Sequence, residues 1–252
     1  MSSAEPESPP DLRGANSVLC VQPHYDDNDI GAGGTIAALA AAGTKVHYLT
    51  VTDDLVGVLD RSLSSVEATR QLRAEQDQAG QAIGVATQCW LEFPDAGRYD
   101  YFDVRARIIG RIREVRPDFV LSVDPFLPYE AHRDHQVVGR AAAEAALLFA
   151  HVKIEAVPPP PPDYRPHRLK GVAFYFTTGP NTVFDIGASR AAKHAALGAY
   201  RSQFDEAGIE RLRRGLEIQE RQWAAAETFE HGEALKVLAP HRLHVNLDAP
   251  AV

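Results

Sequence analysis

Four groups of histidine and aspartate residues could carry chemistry, and each follows a short apolar run. In chain order they are His24, Asp26 and Asp27; Asp53 and Asp54; Asp95; and His132, Asp134 and His135. Charged side chains at the end of a buried strand cost several kcal/mol unless a partner compensates them. Imidazoles and carboxylates that meet at one rim are what a catalytic zinc site needs, with three protein ligands and a fourth position for water.

The spacing predicts roles within such a site. An H-x-x-D element offers His24 and Asp27 as ligands, and the H-x-x-H element that starts at His132 offers one further imidazole. Asp26 is then free to act as a general base on water. The other histidine of the second element can face the developing oxyanion, and Asp134 can orient an imidazole ring. Zinc suits this donor set, and so does iron(II).

Each group also has an explanation without a metal. Asp26 or Asp27 could cap the following helix, His24 could be a hydrogen-bonded core histidine, and His132 and His135 could face solvent at a helix start.

The glycine cluster at 31–34 leaves a further alternative, a nucleotide-binding module. The G-x-G-x-x-G pattern does not fit, because Ile36 stands where its last glycine belongs. We therefore expect these glycines to let a helix pack closely beneath the metal site.

Apolar runs alternate with helical patterns along most of the chain. Strands are predicted at 17–23, 45–52, 87–93, 118–124, 171–177 and 182–186. Helices are predicted at about 33–43, 64–83, 102–116, 134–150 and 188–228. This alternation predicts an α/β fold, a Rossmann-like three-layer sandwich with a mostly parallel sheet and an elaborated C-terminal region. Ligands bind such sheets outside the carboxyl ends of the strands, where all four groups are expected.

Composition narrows the class of protein. The 252 residues suit one large domain, which we place at 17–252 after a disordered tail at 1–16 that lacks signal-peptide features. The net charge of −8 argues against a nucleic-acid partner, and the absence of a long apolar run argues against a membrane span. Two cysteines, interpreted as buried thiols, indicate a cytoplasmic location. The proline-rich segment 157–168 is interpreted as a surface connection, with a lid as the alternative.

Two motifs in the right order resemble a known family. "HYDDNDIGAGGT" resembles the H-P-D-D-E and G-x-G-G-T signature of the LmbE/PIG-L family of zinc-dependent N-acetylglucosamine deacetylases, and "HRDH" at 132–135 resembles its H-P-D-H motif. The stretches "DPFLPYEAH", "YRSQF" and "AETFEHGEALKVL" resemble the diacetylchitobiose deacetylase-like members. The likeness covers nearly all of the chain after the tail.

This resemblance implies a role for each matching residue. His24, Asp27 and His135 would bind zinc, Asp26 would be the general base, and His132 would stabilise the tetrahedral intermediate. The implied reaction is removal of an N-acetyl group from an amino sugar.

The resemblance also implies residues that bind the substrate and a subunit arrangement. Arg73 matches a substrate-binding arginine, and Asp95 matches an acidic residue that contacts sugar hydroxyls. His244 matches a histidine that reaches a neighbouring subunit's site, although a solvent-facing strand residue is the alternative for it. A homo-oligomer is therefore expected, with a hexamer as the implied form.

Four positions around the predicted site depart from the family pattern. Tyr25 and Arg133 replace motif prolines, Asn28 replaces a glutamate, and Asp54 stands where "TDG" has glycine. None is a predicted ligand or base, so these changes question the substrate more than the metal. An anionic acyl group that meets Arg133 is one possibility. The remaining alternatives are an amidase for another N-acyl compound, such as a glycoconjugate or an antibiotic intermediate, and a binding protein without turnover.

Overall fold

One mostly parallel sheet forms the centre of the computed structural model, which describes residues 8–244. Its strands are β1 (Ser17–Gln22), β2 (Lys45–Thr52), β3 (Thr87–Phe93), β4 (Phe119–Val123), β5 (Gly171–Tyr175), β6 (Thr182–Asp185) and β7 (Gly232–Leu238). The spatial order is β3-β2-β1-β4-β5-β7-β6. The first five strands pair in parallel, and β7 runs antiparallel to both of its neighbours. The predicted fold class is confirmed.

Helices cover both faces of the sheet. They are α1 (Asp27–Ala41), α2 (Ser65–Ile83), α3 (Tyr101–Val115), α4 (Arg133–Leu148), α5 (Arg190–Leu197) and α6 (Glu206–Ala224). Helices α1, α2 and α5 contact one another, and α3 contacts α4. Side chains of β1 alternate between two cores: Val18 and Cys20 lie in one, and Leu19 and Val21 lie in the other. The sheet is thus the middle of three layers.

Helix α1 begins six residues before the predicted helix. The sequence predicted a start near residue 33 because glycines weaken a helical pattern, yet the helix begins at Asp27 and kinks at Ala32, where φ is −146°. The glycines after the first turn allow close packing: a Cβ on Gly31 would lie 2.1 Å from the Tyr175 ring, and one on Gly34 would lie 2.8 Å from Ile186. Their expected role, close packing of the helix, is the one that the structure shows.

Two further elements differ from the sequence prediction. The helical pattern at 188–228 is interrupted between α5 and α6, where Tyr200 turns into the core with none of its surface exposed. Strand β7, at the end of the "AETFEHGEALKVL" stretch, was not predicted.

The ends of the predicted domain also need a correction. Residues 8–16 belong to the folded part, since Leu12 is buried in the core and starts a 3-10 helix. Residues 1–7 of the predicted tail and residues 245–252 of the predicted domain lie outside the described part.

The proline-rich segment lies against α3. Val157 N donates to Ala106 O at 2.9 Å, and Arg116 donates to the carbonyl of Arg165. His167 contacts Pro117 O just before β4 begins, so this contact lies at the amino-terminal ends of the strands, away from their carboxyl ends. These contacts favour the surface connection over the lid.

No helix within residues 8–244 is long and apolar enough to cross a membrane.

Candidate metal centre and active site

The predicted chemistry residues lie where the sheet changes direction. From β1 the chain moves outward through β2 and β3, and it then returns to place β4 on the other side of β1. Ligands bind at this kind of switch point, outside the carboxyl ends of the strands. His24 follows β1, and α4 begins at Arg133 after β4. Two neighbouring parallel strands therefore deliver the two histidine motifs to one rim.

The carboxylate of Asp27 lies between two imidazoles. Its Oδ2 is 3.2 Å from His24 Nδ1, and its Oδ1 is 3.2 Å from His135 Nε2. Zinc ligands at about 2.0–2.1 Å in a tetrahedron lie roughly 3.3 Å apart. The spacing and donor types of these three residues therefore fit a zinc ion.

A wider group surrounds this trio. Ligand atoms of His24, His132 and His135 lie within 4.8 Å of one another, and so do those of His24, Asp95, His132 and Asp134. The ring centroids of His24 and His132 are 4.6 Å apart. His132 itself is exposed, so it faces the open side of the group. The structure thus brings the predicted residues His24, Asp27, His132, Asp134 and His135 together, with Asp95 beside them.

Asp134 is fully buried and contacts residues from two other segments at the rim. It accepts hydrogen bonds from Ala96 N at 2.8 Å and from the Tyr99 hydroxyl. Its Oδ2 also lies 3.6 Å from His24 Nε2, and Asp95 Oδ1 lies 3.4 Å from the same nitrogen. Asp134 is therefore placed to orient the His24 ring, the role that its type and position predict.

Sequence reasoning missed Glu130. Its Oε2 lies 3.2 Å from His135 Nδ1, and its Oε1 accepts the His132 backbone N–H at 2.7 Å. A carboxylate on the second ring nitrogen of a ligand histidine fixes the ring and raises its basicity. The only sequence signal was its place in the "PYEAH" stretch just before the H-x-x-H element.

Asp26 is not used as a helix cap. It precedes α1 but makes no side-chain capping bond, and it is only 7% exposed. Burial raises the pKa of Asp26 well above its usual range, and the nearby charges of Asp27 and Asp54 act in the same direction. Asp27 is not a cap either, since its Oδ2 accepts the His24 backbone N–H at 2.9 Å.

His24, Asp27 and His135 shift one another's pKa values. Burial acts to raise the pKa of Asp27, but hydrogen bonds from His135 and His24 outweigh it and hold that pKa well below its usual range. Burial acts to lower the pKa of His24, but bonds to Asp134, Asp27 and Asp95 raise it far above normal. Burial also opposes the rise in the pKa of His135, which Asp27 causes. These carboxylates thus stabilise positive charge in their midst.

Arg73 lies on α2 with its guanidinium 5.0 Å from the centre of the Trp90 ring, paired with Glu92. It also lies beside the buried Tyr25: burial raises the pKa of Tyr25 to about 12, while Arg73 acts to lower it. Arg73 thus lies beside the first motif.

His244 is not brought to this site by its own chain. It is exposed, and the preceding Leu243 packs against the core on the α3–α4 side. The contact of His244 with a neighbouring subunit stays a prediction.

Of the four residues that depart from the family pattern, three are buried. Asn28 accepts a hydrogen bond from the Tyr175 hydroxyl at 3.1 Å, and its backbone N–H donates to Gln22 Oε1. Tyr25 and Asp54 are also buried, whereas Arg133 is exposed in the first turn of α4.

Comparisons with known proteins agree with this geometry. The family model described as PIG-L, GlcNAc-PI de-N-acetylase, matches residues 19–146. The chain is 36% identical to diacetylchitobiose deacetylase of Thermococcus kodakarensis over 198 residues, which are 75% of this chain and 70% of that protein. It is 35% identical to 1D-myo-inositol 2-acetamido-2-deoxy-alpha-D-glucopyranoside deacetylase of Segniliparus rotundus over 162 residues, which are 53% of this chain and 51% of that one.

A solved structure is similar over nearly the whole chain. The N,N'-diacetylchitobiose deacetylase from Pyrococcus horikoshii, complexed with its inhibitor, superposes with a TM-score of 0.88 at 29% identity. The match covers 96% of this chain and 90% of that one.

Proposed function

Because the chain belongs to the PIG-L family of GlcNAc-PI de-N-acetylases, we propose that it removes the N-acetyl group from an N-acetylglucosamine-type amino sugar by zinc-dependent hydrolysis. The membership confirms the family and the enzyme class that the sequence motifs predict. The observation that carries the proposal is the Asp27 carboxylate, 3.2 Å from a nitrogen of each of two histidines, next to the buried Asp26.

His24, Asp27 and His135 would hold the ion. Two imidazoles and one carboxylate are a known catalytic zinc set, and iron(II) is the alternative for the same donors. A bound divalent ion supplies Lewis acidity, which lowers the pKa of water and polarises the amide carbonyl. Glu130 supports this role from outside, because it holds the second nitrogen of His135.

Asp26 would move the proton. It accepts a proton from water as the water oxygen bonds to the amide carbon, and the proton then passes to the nitrogen as the carbon–nitrogen bond breaks. The products are acetate and the free amine. The raised pKa of Asp26 is in the direction that a base working near neutral pH needs.

His132 would stabilise the oxyanion. Its exposed position beside the His24 ring, with ring centroids 4.6 Å apart, supports this role. One such donor is typically worth about 10²- to 10³-fold in turnover. Arg73 and Asp95 would contact the sugar.

Two alternatives remain from the sequence. An amidase for a different N-acyl compound is favoured by Tyr25 and Arg133, which change the surroundings of the site. A binding protein without turnover would keep the same fold. The relatives named above act on diacetylchitobiose and on an inositol-linked acetylglucosamine by their names, and either compound type is a candidate here.

Two broader features are part of the proposal. A homo-oligomer, with a hexamer as its expected form, would give the exposed His244 a neighbouring site to reach. A cytoplasmic location is supported by Cys20, a free thiol buried in β1.

Metal content and acetate release test the proposal together. We expect about one zinc per chain by elemental analysis, and acetate release from N-acetylglucosamine or diacetylchitobiose that a chelator abolishes and zinc restores. Metal without acetate release would contradict the acetyl amino sugar and favour another acyl substrate. A protein that takes up no metal after zinc addition would overturn the hydrolase mechanism and favour the binding protein.

A further inference from the structure

Two departures from the family pattern, Tyr25 and Asp54, touch each other in the structure. Tyr25 stands at a motif proline and Asp54 at a motif glycine, 29 residues apart in sequence. We infer that they are a coupled pair of positioning residues, in which the Asp54 carboxylate holds the backbone of the His24–Asp27 loop in place of a proline ring. The effects on zinc affinity and on catalysis rest on the proposed function, but the coupling itself, which hydrogen exchange measures without a metal, does not.

The contact is between a backbone donor and a side-chain acceptor. Tyr25 N donates to Asp54 Oδ2 at 3.0 Å, and the two residues are 0% and 3% exposed. Proline has no N–H, so a chain with proline at position 25 has no use for this acceptor. A tyrosine there brings a buried N–H that must be paired, because an unpaired buried donor is costly.

Asp54 occupies its position against the backbone preference. Its φ is 55°, in the left-handed region that glycine adopts without penalty. Glycine at this position would therefore be the relaxed choice. The aspartate carboxylate accepts both the Tyr25 N–H and the Gln203 side-chain amide, the latter at 2.6 Å. These two bonds account for an aspartate where the backbone favours glycine.

The other side of the Tyr25 residue is fixed as well. Its carbonyl accepts hydrogen bonds from Gln76 Nε2 at 2.8 Å, from the Tyr200 hydroxyl at 2.9 Å and from Gln22 Nε2 at 3.2 Å. Both peptide groups of Tyr25 are thus held, and they connect it directly to His24 and Asp26. Hydrogen bonds do here what the fixed φ of proline does in the family motif.

A mutant cycle isolates the backbone contact. In the wild-type background, Asp54→Gly leaves the Tyr25 N–H unpaired, and we expect the zinc dissociation constant to rise about tenfold, as for lost support of a metal ligand. In the Tyr25→Pro background the same change removes no partner of residue 25 and relaxes the backbone. There we expect no rise in the constant.

The matched control is Tyr25→Ala, which loses the ring but keeps the N–H. Asp54→Gly should therefore weaken zinc binding in the Tyr25→Ala protein as much as in wild type. Asp54→Asn keeps a carbonyl acceptor and should retain most of the affinity. Equal losses in the proline and alanine backgrounds would overturn the pairing.

Hydrogen exchange gives a second test if the Tyr25 variants do not fold. The Tyr25 amide should exchange at least about tenfold faster in Asp54→Gly than in wild type or Asp54→Asn. Unchanged protection of this amide would also overturn the inference. Neither zinc affinity nor exchange depends on a substrate, so a lack of acetate release would count against the proposed function and not against the pair.

Discussion

Two clusters of buried charge in this protein are built on opposite principles. The first, the metal cluster, consists of His24, Asp26, Asp27, Asp95, Asp134 and His135. The second, the α5–α6 cluster, consists of Arg190, Lys193, Glu220 and Glu233. In the α5–α6 cluster each charge meets its opposite: Lys193 Nζ lies 2.7 Å from Glu233 and 3.4 Å from Glu220, and Arg190 lies 2.7 Å from Glu220. Two cations balance two carboxylates.

The metal cluster lacks that balance. Asp27, Asp95 and Asp134 lie within 4 Å of His24 or His135, and Asp26 is close enough to feel the charge of Asp27. The only cationic groups among them are histidines, which carry charge only when they bind a proton. Buried carboxylates in excess are unfavourable unless a cation joins them. The comparison contrasts a buried cluster whose charges pair with one another with a cluster whose excess negative charge fits the proposed cation.

Helix α1 connects the two clusters. Glu233 accepts the backbone N–H groups of Gly34 and Thr35 at 3.0 and 2.7 Å, just beyond the kink at Ala32. The same helix begins with Asp27. The balanced cluster therefore anchors the helix whose first turn carries a predicted ligand.

The largest effect should follow from His135→Ala. It removes an imidazole from the metal cluster, so both zinc and turnover should be lost. The loss of zinc affinity should exceed the roughly 10- to 100-fold that outer partners of a ligand contribute. Zinc content after dialysis and acetate release measure the two effects. Full zinc occupancy in the variant would remove His135 from the ligand set.

Asp26→Asn should separate metal from chemistry. The amide has the size of the carboxylate but cannot accept the proton, so turnover should fall by about 10²- to 10⁴-fold. Zinc content should stay at the wild-type level, because Asp26 is not a proposed ligand. A variant that keeps most of its turnover would show that another group is the base.

A substitution in the α5–α6 cluster should lower the free energy of unfolding. Lys193→Met leaves the buried Glu233 without its cation and Glu220 with Arg190 alone, which should cost about 3–5 kcal/mol of the free energy of unfolding. Urea denaturation measures this loss. The matched control is Arg221→Met, which breaks an exposed pair with Glu217 on the same side of the molecule and should change stability little. Equal losses in both variants would mean that the buried pairs of Lys193 contribute no more to stability than the exposed pair of Arg221.

Glu130→Ala should have a smaller effect on the metal cluster. Without this carboxylate His135 Nδ1 loses its partner, and zinc affinity should fall about 10- to 100-fold with the ligands intact. Competition with a chromophoric chelator measures the affinity. Glu130→Gln keeps an acceptor and should fall between the alanine variant and wild type. Wild-type affinity in the alanine variant would exclude the supporting role.

Much of the fold could be predicted because burial leaves a local pattern. Strands β1 to β4 are nearly continuous apolar runs, since helices cover both of their faces. The break between α5 and α6 could not be seen, because Tyr200 leaves the helical path to donate to Asp29 and to the Tyr25 carbonyl. Those partners lie more than 170 residues away in the chain.

In the candidate site too, residues with a local sequence pattern could be predicted and residues set by distant contacts could not. Spacing predicted His24 and Asp27 as ligands and offered one further imidazole from the H-x-x-H element, and the family resemblance then assigned that role to His135. Glu130 resembles any polar residue of an exposed loop until the fold brings it to a histidine nitrogen. The link between Lys193 and Glu233 spans 40 residues and leaves no periodic signal. The residues that support a site act through contacts between distant parts of the chain, and a single sequence gives little sign of such contacts.

Arg133→Ala should have the smallest effect on the protein itself. Arg133 is exposed in the first turn of α4, where a positive charge opposes the helix dipole. Its removal should therefore leave the free energy of unfolding unchanged or slightly higher, and zinc content unchanged. A residue placed against the dipole at the rim of a site is expected to serve the substrate. The KM for an N-acyl substrate with a negative charge should rise several-fold, and that for neutral diacetylchitobiose should change less. Equal changes for both substrates would mean that Arg133 does not select for charge.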